Sequence, residues 1–394
     1  MSRILTGLFL LHFLALHSSI AVMEIASWSI FLVALVAKLK SGRRPSFPLL
    51  WPMMGLLAAV VISVVANPAL KDPVYQLGFM RWMVVFWGLS WGLEEMGDPK
   101  FTPRFYRLWL GVLGLIALYS LLQFFTGLNP IHPRKPLEPQ GDFFRATGFF
   151  TMSLTFAYVV GQSFLALVPH ASRISIAAKV SWALVVVVGM IPLVASGVRG
   201  AWVGALAAGF VYVIFRYRKW APHFIGGAAL VMAVGTLVSP KMQQLVHMKL
   251  DSGSHLRLLL WKSYWNMFLD HPFTGVGLLQ GDKLLQEYYA RFGVVQEFVS
   301  HAHNVWLQWL GGAGVFAFGF YTWIVVWFLR AAWRLRVVSP EWGWSLLLAQ
   351  IYFHVGALTE ANFFDGEVNH TLMLVWAMTY VMGKRSGQPV GVNR

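Results

Sequence analysis

Apolar runs close to 20 residues long recur from one end of this 394-residue chain to the other. A helix crossing about 30 Å of hydrocarbon needs roughly 20 such residues, since all its backbone polar groups must be satisfied internally. Runs of this length, repeated this often, predict an all-α, polytopic integral membrane protein. Charged residues make up only 12% of the sequence, about half the share found in soluble domains. Twelve spans are predicted, near 4–17, 19–37, 47–66, 74–93, 105–125, 146–168, 178–196, 198–215, 221–238, 304–329, 342–359 and 368–383. They form a single membrane domain over residues 1–394. The opening MSRILTGLFLLHFLALHSSIAV resembles a signal peptide but lacks a small-x-small cleavage site, so it is read as a retained first helix.

The formal charge of +15 is no argument for a nucleic-acid partner in such a chain, because the location of the basic residues is what carries information. With the N-terminus in the cytoplasm, the short basic loops KLKSGRR, RYRKW, RAAWRLR and GKR all fall on one side. That side holds 19 of the 31 Lys and Arg. Both termini are therefore expected inside. Two long segments face out: 126–148, rich in proline and polar residues, and 239–303. A connection that long is unusual unless it is functional or structured. Amphipathic helices over 256–271 and 284–293, with HPFTGVG between them, predict a helical cap between spans 9 and 10, lying on the outer surface.

Candidate chemistry gathers on that outer side. Arg199, in LVASGVRGAWVGAL, stands between apolar runs, and an arginine at mid-bilayer costs roughly 2.5–3.5 kcal/mol, so it marks a functional site by default. The alternatives are snorkelling or a structural pair with an acid such as Glu24. Arg257 shares a helical face with Trp261 and Tyr264, a set suited to a phosphate or a sugar ring, or to interfacial anchoring. Arg145, in DFFRATGFF, is either a substrate contact or a charge near lipid headgroups. In HAHN, His303 is a candidate general base, with a helix-start or neutral interfacial histidine as the competing readings. His301 precedes it and Asn304 follows it. His301 and His303 lack the third ligand at a recognisable spacing that a zinc site would show. Glu360, Asp365 and Glu367 lie in a short outer loop, where one of them could orient a histidine or pair an arginine. No Asp-x-Asp occurs in the outer loops.

Four stretches carry a resemblance: RATGFF (145–150), SGVRGAW (196–202), LRLLLWKSYWNMFLDHPFTGVG (256–277) and HNVWLQWLGGAG (303–314). Together with the topology they resemble the O-antigen ligase and polymerase superfamily of bacterial inner-membrane proteins. One departure is visible. Where the ligase pattern continues Gly-x-x-Gly-Thr, this chain has Gly314, Val315, Phe316, Ala317 and Phe318.

The resemblance implies a glycosyltransferase that moves a glycan from undecaprenyl pyrophosphate to a hydroxyl on the periplasmic face. In a ligase the acceptor is lipid A–core; in a polymerase it is another lipid-linked repeat. Arg199 and Arg257 take the positions of the family's essential arginines, and His303 that of its essential histidine. Arg145, His301, Asn304, Trp261 and Glu360 are the expected substrate contacts. The implied enzyme is inverting and uses neither metal nor cofactor, with arginines neutralising the departing diphosphate. The reading from a different class is a polysaccharide-lipid flippase or transporter. Transporters carry broken helices near the midplane in both halves, whereas this chain gathers its chemistry on one face.

Overall fold

The computed structural model describes residues 1–67, 72–97, 103–174, 177–238 and 252–387. Helices occupy every predicted apolar segment: α1 (Ser2–Leu16), α2 (Ile20–Lys40), α3 (Leu50–Ala66), α4 (Pro73–Phe79) with α5 (Trp82–Glu95), α6 (Pro103–Thr126), α7 (Ser153–Leu167), α8 (Ala178–Ser196), α9 (Arg199–Arg216) and α10 (Ala221–Val238). After the outer segment come α13 (Val305–Val338), α14 (Pro340–Gly356) and α15 (Gly366–Arg385). Among the described residues, four stretches are long and apolar enough to cross a membrane: Ile20–Lys40, Arg104–Thr126, Ser153–Arg173 and Val305–Val338. The chain is an all-α, multi-pass membrane protein.

Helix boundaries follow from capping. Ser19 accepts from the N–H of Val22, Asn304 from that of Leu307, and Asp365 from that of Val368, each meeting a donor that the first turn cannot satisfy internally. Pro340 opens α14, where its missing N–H is no loss. The interior is aromatic. Phe328 stacks on Trp376 with ring centroids 4.5 Å apart, and Trp82 meets Phe363 edge-on at 5.5 Å. Outward-facing positions on α6, such as Leu115, Leu118 and Leu122, are exposed and aliphatic, as a lipid-facing surface requires.

Three predicted segments depart from a plain span. The fourth is interrupted at Met80 and Arg81 between α4 and α5. The sixth starts at Ser153 rather than 146, because residues 146–152 run non-helically along the site described below. The tenth breaks at Gly314, whose φ of 78° and ψ of −179° interrupt α13. The two-residue strands Pro139–Gln140 and Phe143–Phe144 pair antiparallel within 126–148, a hairpin with no apolar periodicity to announce it.

The first part of the expected cap, 239–251, lies outside the described residues. The remainder forms α11 (Ser252–Asp270) and α12 (Leu285–Arg291), with a core of its own from Leu260, Tyr264, Met267, Leu285, Tyr288 and Tyr289. Its turn at 272–276 docks on the break in α13. The N–H of Val276 donates to Gly311 O at 2.9 Å, and that of Val315 to Pro272 O at 2.9 Å. Gly275 sits there with φ +62°, and a Cβ would lie 2.4 Å from Ala313 N. Gly275→Ala is therefore expected to destabilise the fold by about 1–3 kcal/mol, measured as a lowered thermal midpoint of the detergent-solubilised protein.

Candidate functional site

At one end of the bundle a cavity of about 680 Å³ opens among α7, α9, α11, the 136–147 segment and the loop after α14. Arg145, Arg199, Arg257, His303 and Glu360 all line it. Residues more than 200 positions apart in sequence thus converge on one chamber.

Arg199 opens α9 and lines the chamber together with Val198 and Trp202 of the same turn. A helix N-terminus and an arginine together favour an anion. Gly197 has φ +65°, and a Cβ there would come within 2.8 Å of the Gln140 side chain. The small residue lets the 136–147 wall approach α9. Glu24, the alternative partner for Arg199, instead bonds Arg81 at 2.9 Å.

Glu360 is the hub. Its side chain is only 4% exposed, with Oε1 2.5 Å from Nη2 of Arg257 and Oε2 3.0 Å from Nδ1 of His303. A carboxylate only accepts, so Nδ1 carries the imidazole proton and Nε2 is the nitrogen left to accept one. The Ser300 hydroxyl lies 3.4 Å from that Nε2 and 2.8 Å from Nδ1 of His301. His303 has a left-handed backbone, φ 46°, an uncommon conformation for a side-chain-bearing residue. Arg145 holds Glu138 at 2.7 Å and donates from Nε to Ser196 O at 3.1 Å, which ties the 138–145 hairpin to the end of α8.

The other expected contacts sit behind this chamber. Asn304 does not line it. Its amide caps α13 and donates to Leu358 O at 2.9 Å, while the N–H of Val305 donates to Ala357 O at 2.9 Å. The segment carrying His303 is thereby fastened to the loop carrying Glu360. His301 packs its ring against His303, with centroids 4.3 Å apart, and burial together with the neighbouring His303 charge pushes its pKa down to about 4. Trp261 lies on α11 away from the chamber lining. Among the outer acids, Asp365 caps α15 and accepts from Thr155 at 2.5 Å. Glu138 and Gln140 also line the cavity, and sequence reasoning missed both; the only signal was the unusual length and polarity of 126–148. Among the described residues no three metal-ligating side chains converge.

The bundle and its chamber define a multi-pass membrane protein with three guanidinium groups and a histidine–carboxylate pair at one end. Residues 182–322 match the O-antigen ligase family model, a stretch that includes Arg199, Arg257 and His303. Among curated proteins, none matches the chain.

Proposed function

We propose that the protein is an O-antigen ligase acting at the bacterial inner membrane. It moves a glycan from undecaprenyl pyrophosphate to a hydroxyl of lipid A–core on the periplasmic face. The observation that carries this reading is the convergence of Arg199, Arg257 and the His303–Glu360 pair on one cavity. The acceptor oxygen attacks the anomeric carbon as the bond from that carbon to the diphosphate breaks. The departing diphosphate takes the bonding electrons, and the configuration inverts. Negative charge grows on the diphosphate, where Arg199 and Arg257 stabilise it without reorganising. Nε2 of His303 takes the hydroxyl proton, and Glu360 stabilises the imidazolium that forms. His301, its pKa pushed down to about 4 by burial, is a poor base. No step requires a metal or a cofactor.

The topology that goes with this reading has twelve spans and both termini inside. It is supported by the basic helix ends at 38–44, 216–219, 330–336 and 384–385. These lie at the far ends of α2, α9, α13 and α15, away from the chamber, as the positive-inside rule requires. Residues 252–303 then form the outer part of a cap that the acceptor passes beneath.

The departure from the ligase pattern after Gly314 favours a second reading, a polymerase that extends lipid-linked repeats. Purified protein in detergent, given donor and lipid A–core, is expected to make product without a vesicle and with no loss on adding EDTA. Failure without a sealed membrane would point to transport, and EDTA loss restored by a divalent ion would overturn the metal-free chemistry. Product formed only from two lipid-linked repeats would select the polymerase.

A further inference from the structure

A second cavity, of about 640 Å³, lies away from the arginine chamber between α1, α6, α7, α14 and α15. Its lining follows one face of α1 from Ser2 to His17, a rise of about 22 Å. That is long enough for a lipid chain and most of the hydrocarbon thickness. The walls are largely apolar, with Phe9, Phe13 and Leu374 among them.

Two residues that line this groove each carry a buried polar atom with no hydrogen-bond partner among the described residues. Gln162 is fully buried; its Nε2 donates to Tyr158 O at 3.2 Å, and its Oε1 is unmatched. His17 is 3% exposed, with Nδ1 2.8 Å from Phe13 O and Nε2 unmatched. The carbonyl fixes the proton on Nδ1, so Nε2 of the neutral ring is an acceptor. The wall has few protons to offer them. The hydroxyls of Ser2, Thr6, Ser345 and Thr371 already donate to backbone carbonyls. A plain hydrocarbon chain leaves both acceptors unmet, which is unfavourable in an apolar setting. At the end away from the chamber the exposed Arg104 completes the lining, a cation suited to a phosphate.

We propose that this groove binds an anionic lipid that carries hydroxyl or amide N–H groups along its chain or linkage region. Its phosphate meets Arg104, and its donors meet Gln162 Oε1 and His17 Nε2. The site is separate from the transfer chamber and stands whether or not the transfer reading does.

The full-length protein is reconstituted in nanodiscs with equal amounts of phosphatidylglycerol bearing 12-hydroxystearoyl chains and phosphatidylglycerol bearing stearoyl chains. Retained lipid is then read by native mass spectrometry after detergent exchange. The wild type is expected to keep the hydroxylated lipid in preference by about fivefold or more. Gln162→Leu combined with His17→Phe should bring the ratio to one while lipid is still retained. In a parallel mixture with phosphatidylcholine, preference for the anionic lipid should disappear in Arg104→Gln, a surface change that leaves the core intact. Equal retention of hydroxylated and plain lipid by the wild type overturns the proposal. So does a hydroxyl preference that survives in the double variant, or a wild type indifferent to headgroup charge.

Discussion

Arg257→Ala is expected to lower glycan transfer by at least about 10²–10³-fold, with membrane insertion and detergent extraction unchanged. Two separate losses add up there. The first is the positive charge facing the departing diphosphate. The second concerns Glu360, whose carboxylate is almost wholly buried between Arg257 and His303. With the guanidinium gone, that carboxylate turns to the imidazole alone and favours its protonated form, which cannot accept a proton. A double variant tests the first loss. Combining Arg257→Ala with Glu360→Gln removes the unpaired carboxylate but not the unneutralised leaving group, so transfer should remain lost. Substantial recovery in the double variant would mean that Arg257 only neutralises Glu360, and the leaving-group role would be wrong. Arg257→Lys keeps a charge but not the planar fork, and should sit between wild type and alanine.

Several parts of this arrangement were legible in the sequence because they rest on local rules. The apolar segments follow from a single requirement, internal satisfaction of the backbone, and helices occupy all of them. Arg199 stood out because an isolated guanidinium in an apolar run demands a reason, and His303 because a titratable group stood at a helix start. What was not legible depends on chain pairing at a distance. Of the three outer acids, Glu360 is the expected substrate contact, but no spacing in the sequence names its partners. The fold makes Glu360 the partner of both Arg257 and His303 and turns Asp365 into a helix cap. Asn304 read as a substrate contact, yet its geometry joins the two loops that bear the pair. The 136–147 wall follows no periodicity. Its position depends on Gly197 and on contacts such as Arg145 Nε to Ser196 O, made between segments about 50 residues apart. The break at Gly314 belongs with these. Glycine permits that backbone, but only the docked turn at 272–276 gives it a use.

His303→Ala should reduce the rate by about 10²–10⁴-fold while donor binding is retained, since donor recognition is assigned to the arginines. The expected signature is a change in pH dependence. A general base acts unprotonated, so wild-type transfer is expected to climb with pH and then level off. His303→Ala should lose the climbing limb and show a flat, low rate. His301→Ala provides the contrast: with its pKa near 4 His301 is already neutral across the working range, so its removal should leave the limb in place. Because the cavity is about 680 Å³, free imidazole has room to enter and should restore part of the activity of His303→Ala. That rescue should weaken in the double variant with Glu360→Gln, which has no carboxylate to orient the added ring. A His303→Ala enzyme that keeps the wild-type pH profile would assign the base to another group. Loss of donor binding in that variant would instead make His303 part of the diphosphate clamp, with the proton leaving by another route.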